Sequence, residues 1–465
     1  VLFDAGGDRE HVRIEDDVFR REAHALGQQR VRTRTDLDFA RDGIGLALLA
    51  GAKARNLGDS QFGIASLAFR WNVSGSYLQA MPRVYSVGAD GGEDEFLAPY
   101  WPAGERDTRL FQKGYQWPCD AARAAGGSSL IDVLVYRETA QRGRRVYLDY
   151  TRNGTGYDET LLDAEAHDYL ARSRAMLPTP IDRLRALNPS AVALYAEHGI
   201  NLTHEPLEVA VCAQHNNGGL AADAWCESEN VAHLFPIGEV NGSHGVYRPG
   251  GAALNAGQVA GFRVAGRIAH CYTGWSVSRT AVSLAAREAL GDVRAWLARC
   301  HDATSRWQDE RAVWQRRMSR YAGPIRSLPD LEEAVAAAWA QAARLEAEGC
   351  VYEGGVGQAE ALRNRQLCFA HAVYLEAILY ALRSGVGSRG SAIALDPKGV
   401  PLHPMLGQCW RMAPEDLRYR ETVLETVAHA PRRVESVWRP VRPIPDGDTW
   451  FETTWARFQS GEVFR

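Results

Sequence analysis

The sequence predicts an α/β protein organised in several domains, and three features support this. Residues 1–7 (VLFDAGG) form an apolar strand that runs directly into a glycine turn. Residues 206–275 return to this strand-and-glycine character and end in a long helix, and from residue 278 onward helical periodicity dominates. Because the 465 residues exceed what one hydrophobic core usually organises, we expect about two to four domains.

The first half of the chain alternates short helices, strands and turns. An Ala- and Leu-rich stretch predicts a helix over residues 42–54. Residues 61–205 contain many aromatic side chains and several Gly and Pro breaks, and residues 145–149 (RVYLD) have the pattern of a short strand. The helix that closes the next region is predicted over residues 253–270.

The second half contains one strong amphipathic pattern. Over residues 330–349 apolar side chains recur every three or four positions, which predicts a helix with one buried face and Gly349 as its stop. A further helix is predicted over residues 366–383. Beyond residue 398 prolines recur, and they predict a loop-rich tail with short strands.

Composition and charge exclude several classes of function. The net charge of -4 and the absence of a basic block argue against nucleic acid as a partner. No run of eighteen apolar residues is present, so we expect no membrane span. The eight cysteines form no CxxC pair and the histidines no HExxH motif, so we expect no metal site and a reducing, cytoplasmic location.

The start of the chain is unusual for a natural protein. It lacks a starting Met, has no signal peptide and opens in a buried strand. We therefore expect that the sequence is a piece of a longer protein, or that a separate subunit supplies what precedes it.

Residues 233–254 (HLFPIGEVNGSHGVYRPGGAAL) contain the most informative pattern. Residues 234–237 have the character of a short buried strand, which would place Glu239 at its end, where a carboxylate can accept hydrogen bonds from ribose or ribityl hydroxyls. The pair Gly250 and Gly251 lets the backbone approach a flat ring closely. The helix that begins near Ala253 directs free N–H groups at whatever lies there.

These residues resemble the family of succinate dehydrogenase, fumarate reductase and L-aspartate oxidase flavoproteins. The segment is similar to the family's second FAD contact, and residues 213–220 (AQHNNGGL) to its His-x-x-Gly-Gly turn. Four weaker similarities follow in the same order along the chain: residues 3–7 (FDAGG), residues 42–52 (DGIGLALLAGA), residues 146–149 (VYLD) and residues 388–390 (SRG).

The resemblance implies a cofactor, a fold and a site. It implies FAD, bound by a partial Rossmann-like domain (residues 1–60 and 206–275), an inserted α+β capping domain (61–205), a helical C-terminal domain (276–395) and a loop-rich tail (396–465). The catalytic positions it implies are His215, His244 and Arg248. The FAD contacts it implies are Ala5, Gly6, Gly7, Gly238, Glu239, Gly250, Gly251, Ala253 and Leu254. The alternatives are a solvated Glu239 and a His215 that is satisfied within the core.

Three departures from the family pattern concern the substrate. The family's Gln-Phe-His-Pro-Thr is QFGIA at residues 61–65, its Arg-Asp aligns with Ile131 and Asp132, and its Asn-Arg-Leu-Gly-Gly-Asn-Ser-Leu is YRPGGAAL at residues 247–254. The loss of the His and the Arg argues against fumarate reduction and favours another small substrate with an anionic or carbonyl group. The missing Arg has four nearby candidates: Arg137, Arg142, Arg144 and Arg145.

The first predicted strand is not followed by the phosphate-binding Gly-x-Gly-x-x-Gly turn. We therefore expect an FAD-dependent oxidoreductase that transfers hydride between a small organic substrate and FAD, with an N-terminal segment or second subunit completing the FAD site. The alternative is a non-catalytic or partner-dependent subunit of a flavoprotein complex.

Overall fold

A computed structural model describes residues 43–274, 276, 278–429, 432–443 and 450–464. Helices and three β-sheets alternate along this part of the chain, so the predicted α/β class is confirmed. The predicted strand and glycine turn at residues 1–7 lie outside the described residues. The domain boundaries stay predictions.

The largest sheet has five strands in the order β2-β6-β5-β3-β4, and every ladder in it is antiparallel. Its strands are β2 Ser60–Ser66, β3 Arg83–Val87, β4 Glu93–Asp94, β5 Arg145–Asp149 and β6 Leu207–Asn216. The prediction of a strand over residues 145–149 is confirmed. β2 and β6 are buried along most of their length and form the sheet edge from which the candidate site is built.

Two smaller sheets lie beside it. One has the order β12-β11-β1-β7, with antiparallel ladders, and the other the order β10-β9-β8, in which β8 and β9 run parallel. Their strands are β1 Ala54–Arg55, β7 Gly219–Leu220, β8 Ile325–Ser327, β9 Ile393–Pro401, β10 Arg411–Met412, β11 Thr422–His429 and β12 Arg433–Pro440.

The helices flank these sheets and account for most of the chain after residue 250. In chain order they are α1 Gly43–Leu49, α2 Ser76–Gln79, α3 Ala103–Tyr115, α4 Leu130–Tyr136, α5 Ala164–Arg172, α6 Pro180–Leu187, α7 Pro189–Glu197, α8 Ala252–Cys271, α9 Arg279–Arg299, α10 Trp307–Tyr321, α11 Leu328–Glu348, α12 Gly354–Arg383 and α13 Trp450–Gln459.

The long helices confirm most of the periodicity predictions. α8 and α11 match their predicted ranges within two residues, and Gly349 ends α11 with a φ of 72°. α12 begins at Gly354, twelve residues earlier than predicted. The sequence pattern does not predict these first turns because they carry three glycines, which have low helix propensity. Packing against α10 and α11 stabilises these turns nevertheless.

Three predicted elements were wrong in extent. The helix over residues 42–54 ends at Leu49, since Gly51 turns the chain (φ 76°) and Ala54 pairs with β11. Residues 234–237 are not a strand, because Pro236 lacks an N–H donor. The tail beyond residue 398 is more ordered than predicted, with the eight-residue strands β11 and β12 and the helix α13.

Two hydrophobic cores meet near the candidate site. The first surrounds the five-stranded sheet and the helices α2–α7. The second surrounds α1 and α10–α12 and includes Leu220 of β7. Because β6 ends at Asn216 and β7 starts at Gly219, the chain passes from one core to the other within a few residues.

Helices α8 and α9 pack differently from the rest. Ala260 and Val264 are the buried residues of α8, and Trp296 is the buried residue of α9. Large apolar side chains on both helices are exposed, among them Phe262 at 84% and Leu284 at 67%. The described part of the chain therefore leaves most of both helix surfaces uncovered.

Candidate active site

The candidate site lies at the end of the paired strands β2 and β6. Gln61 and His215 are directly opposite each other in this antiparallel ladder, so their side chains lie on the same face of the sheet. His215 is only 2% exposed. β6 ends one residue later, at Asn216.

The turn after β6 is held by Asp59. Its backbone oxygen accepts hydrogen bonds from the amides of Asn217 (2.9 Å) and Gly218 (3.1 Å). Its carboxylate lies 3.1 Å from Nη2 of the buried Arg389. A Cβ atom on Gly218 would lie 1.8 Å from the carbonyl oxygen of Asn56, so close backbone packing requires glycine here.

His215 is oriented through both of its ring nitrogens. Nδ1 lies 3.0 Å from Oδ1 of Asn217, whose Nδ2 donates to the carbonyl of Val246, so Nδ1 carries a proton. Nε2 lies 2.7 Å from Oε1 of Glu239, at the distance of an ion pair but outside the angular range of a hydrogen bond.

His244 stands beside His215, with ring centroids 4.8 Å apart and the rings inclined by 60°. Burial, aided by His215 and the positive charge of Arg248, lowers the pKa of His244 to about 4, and the backbone of Asn216 opposes this. His244 is therefore neutral at physiological pH and can act as a hydrogen-bonding group, not as a cation.

Arg248 contacts Gln61 with the fork of its guanidinium. Nε and Nη2 donate to Oε1 of Gln61 over 3.1 and 2.9 Å, and Nη1 donates to the carbonyl of Pro249. Nε2 of Gln61 in turn donates to the carbonyl of Arg248 over 3.2 Å. A neutral carboxamide therefore occupies the two-pronged position that an arginine offers to a carboxylate.

Glu239 is the buried acid of the site. It lies in a short 3-10 turn that begins at Gly238, whose φ of 72° favours glycine. Glu239 is 6% exposed, and its Oε2 has no hydrogen-bond partner among the described residues. Because a buried carboxylate oxygen is usually paired, this atom fits a hydroxyl donor from a bound group.

The start of α8 is open and lacks a side-chain cap. Gly251 precedes the helix in the left-handed conformation (φ 80°), and a Cβ atom on Gly250 or Gly251 would meet nothing within 4 Å. Ala253 and Leu254 lie in the first turn, where N–H groups lack helical partners. This end of the helix has the room and the donors for an electron-rich ring, so the residues present fit a flavin.

The other predicted flavin contacts, Ala5, Gly6 and Gly7, lie outside the described residues. The structure thus brings His215, His244, Arg248 and Glu239 together, and it places Gly250, Gly251, Ala253 and Leu254 in the segment that follows Arg248.

The positions that depart from the family pattern have other neighbours. Ile131 is buried in the first core, and Asp132 lies 2.6 Å from Nζ of the buried Lys113. The four arginines proposed as replacements contact groups away from the candidate site: Arg137 binds Tyr100, Arg142 and Arg144 bind Glu138, and Arg145 lies over Tyr147.

Sequence reasoning missed three residues of the candidate site. Gln61 stands in the sequence only as part of a departing motif, although it lies opposite His215 in the structure. Asn217 has the character of a turn former, and no local pattern marks Asp59. The pairing of β2 with β6 identifies Gln61, because it places Gln61 opposite His215. The sequence alone does not show which residues of the two strands pair.

Two kinds of feature are missing from the described residues. No group of three or more His, Cys, Asp or Glu side chains in this part of the chain is arranged to hold a metal ion. Likewise, none of its helices has the length and apolar character needed to cross a membrane.

The fold of this chain is similar to that of several solved structures. Quinol fumarate reductase FrdA of E. coli has a similar structure (TM-score 0.54, 18% identity, 88% of this chain and 63% of that one). A quinol-fumarate reductase with menaquinol molecules is also similar (TM-score 0.58, 17% identity, 91% and 66%), as is Mycobacterium smegmatis Sdh1 with UQ1 (TM-score 0.54, 17% identity, 95% and 63%). The chain spans roughly two thirds or less of the length of these proteins.

One sequence relative agrees with these structures. Over 70 residues the chain is 43% identical to a fumarate reductase (CoM/CoB) subunit from Methanothermobacter marburgensis, a match of 15% of this chain and 13% of that protein. No protein-family model matches the chain. The resemblance to fumarate reductase and succinate dehydrogenase flavoproteins is therefore confirmed, in fold over most of the chain and in sequence over this segment.

Proposed function

We propose that this chain is the substrate-binding part of an FAD-dependent oxidoreductase that transfers hydride between a small organic substrate and FAD. The single observation that carries the proposal is the buried, unpaired Oε2 of Glu239, which lies beside His215 in a turn that contacts α8 near Gly257. When bound, FAD would supply the hydride-accepting or hydride-donating ring. Glu239 and the glycines before α8 would hold it there.

Arg248 would bind the substrate. Its guanidinium offers a planar pair of donors, and in the structure a carboxamide oxygen occupies that position. An anionic or carbonyl oxygen of a substrate would take the place of this oxygen and make the same two hydrogen bonds. The five-stranded sheet would close over the substrate and exclude water.

The two histidines would have different roles. His244 is neutral, so it would orient a polar group of the substrate by a hydrogen bond. Nε2 of His215 lies 2.7 Å from Oε1 of Glu239, so this buried pair would supply or accept the proton that accompanies a change at the substrate.

A further part of the protein would complete the site. The exposed apolar surfaces of α8 and α9 support this proposal, since such surfaces are usually covered in a complete protein. The covering part would be an N-terminal segment or a second subunit that contributes the phosphate-binding half. The eight free thiols support a reducing, cytoplasmic location.

The test is binding of FAD to the 465-residue chain, measured by the flavin absorbance that stays with the protein after gel filtration. We expect Glu239→Ala to weaken binding at least about tenfold, because it removes the acceptor for the hydroxyl donor. Glu435→Ala, at an exposed glutamate of β12, is the matched control and should change nothing. Equal binding by Glu239→Ala and the unaltered chain would contradict the proposed cofactor site.

A second candidate function is a partner-dependent subunit without activity of its own. The uncovered surfaces of α8 and α9 favour it, because they indicate that the described part is incomplete. A chain that stays colourless with FAD alone, and binds FAD only when a partner is added, would support this second function.

A further inference from the structure

The position of Gln61 has a consequence for the substrate. Its carboxamide oxygen accepts two hydrogen bonds from Arg248, and its NH2 group donates to the Arg248 backbone. Both N–H groups of the arginine fork thus meet a single neutral oxygen, where a carboxylate would offer two charged ones. A substrate carboxylate would therefore replace a group that carries no charge, and would gain a charge-assisted bond by doing so.

The charges of Arg248, His244, His215 and Glu239 can balance at most one carboxylate. Arg248 contributes one positive charge, and His244 contributes none near neutral pH because burial lowers its pKa to about 4. His215 and Glu239 together carry either no net charge or one negative charge, depending on whether a proton lies between them. The four side chains thus sum to at most one positive charge, so a second carboxylate in their midst would lack a partner.

The wall next to Gln61 is aromatic. Gln61 and Gly63 lie on the same face of β2, since the bulge in this ladder places its extra residue on β6. A Cβ atom on Gly63 would lie 2.5 Å from Nε1 of Trp117, so the indole lies directly against the glycine. The indole N–H donates to the carbonyl of Ile64 (3.3 Å), which leaves an apolar ring surface beside this strand.

We propose that the site takes a monocarboxylate with an apolar arm, with the carboxylate on Arg248 in place of the Gln61 carboxamide and the arm against Trp117. This inference rests on the proposed function, and it makes Gln61 and Trp117 specificity-determining residues. A histidine at position 63 would collide with the indole. The side of the site next to Gly63 therefore offers a substrate an apolar ring surface and not a cation.

Three probes of related shape test the proposal. Fumarate carries two carboxylates, crotonate replaces one of them by a methyl group, and cinnamate replaces it by a phenyl ring. Binding to the full chain, with FAD supplied, is measured by calorimetry. We expect cinnamate to bind at least about tenfold more tightly than fumarate, with crotonate between them, because the second carboxylate would be desolvated without a partner.

Two variants locate the interaction. Gln61→Glu places an internal carboxylate on Arg248 and should weaken cinnamate binding at least about tenfold, because the probe must then displace a charged group. Gln408→Glu is the matched control: Gln408 is an exposed glutamine that accepts a hydrogen bond from Arg411 (3.5 Å), so this variant adds the same charge at a surface Gln–Arg pair. It should leave cinnamate binding unchanged.

The outcomes separate this inference from the proposed function. Fumarate that binds as tightly as cinnamate, no binding of any probe, or a Gln61→Glu variant that binds cinnamate normally would overturn the inference. Each of these results can occur while FAD is bound, and then the proposed cofactor site stands. A preference for cinnamate in a chain that fails to bind FAD would support the inference and contradict the proposed function.

Discussion

The protonation state of His244 is the first property to measure, because it decides how much positive charge the candidate site offers to a bound carboxylate. With a pKa of about 4, about 1% of the molecules carry a protonated His244 at pH 6, against about three quarters for a histidine of ordinary pKa. His244 then contributes no charge to a bound carboxylate over the physiological range.

The perturbation that tests the cause is Arg248→Gln. Burial is the largest cause of the lowered pKa, and the charges of His215 and Arg248 add to it. Removal of the arginine should therefore raise the pKa of His244, while burial should still keep it below the ordinary value of about 6.5.

The assay is NMR of the chain with labelled histidine, titrated from about pH 8 to about pH 3 so that the whole transition is covered. The His244→Gln variant assigns the resonance, because its signal disappears. The exposed His301 offers a control, since His301→Gln should leave the titration of His244 unchanged. A His244 resonance that titrates near pH 6.5 in the unaltered chain, or that does not shift in Arg248→Gln, would refute the reasoning.

Three further predictions concern stability, each measured by denaturant unfolding. Burial lowers the pKa of His371 to about 3, so between about pH 6.5 and pH 3 the unfolded chain binds a proton that the folded chain does not. The free energy of unfolding should therefore fall as the pH drops below about 6.5, by about 2 kcal/mol at pH 5, and His371→Gln should reduce this loss. Gly218→Ala should lower the free energy of unfolding by more than about 3 kcal/mol, because its Cβ would meet a backbone oxygen. Gly250→Ala should lower it by less than about 0.5 kcal/mol, and equal losses would contradict the packing argument. Lys113→Met should lower the free energy of unfolding by about 3–5 kcal/mol, because it leaves the buried Asp132 unpaired. The double variant with Asp132→Leu should recover most of this stability, and no recovery would contradict the ion pair.

Much of the fold could be predicted from local patterns. The apolar spacing of residues 330–349 predicts α11, because a helix must bury one face, and the run RVYLD predicts β5. Predictions failed where distant contacts decide the structure. The helix α1 is shorter than predicted because Ala54 pairs with Thr426, more than three hundred residues away.

The sequence by itself determined the α/β class, the resemblance to the flavoproteins and the choice of His215, His244, Arg248 and Glu239 as site candidates. Those candidates lie in two motifs whose glycines and spacing are visible in the chain. Their roles stay predictions.

Only the tertiary structure decided the surroundings of these candidates. The cross-strand register places Gln61 opposite His215, and the loop after α3 brings Trp117 against Gly63. Neither contact leaves a trace in the local pattern, because each joins segments more than fifty residues apart. Whether an arginine faces water, a carboxylate or a carboxamide depends on such long-range contacts, and here the partner of Arg248 is a carboxamide.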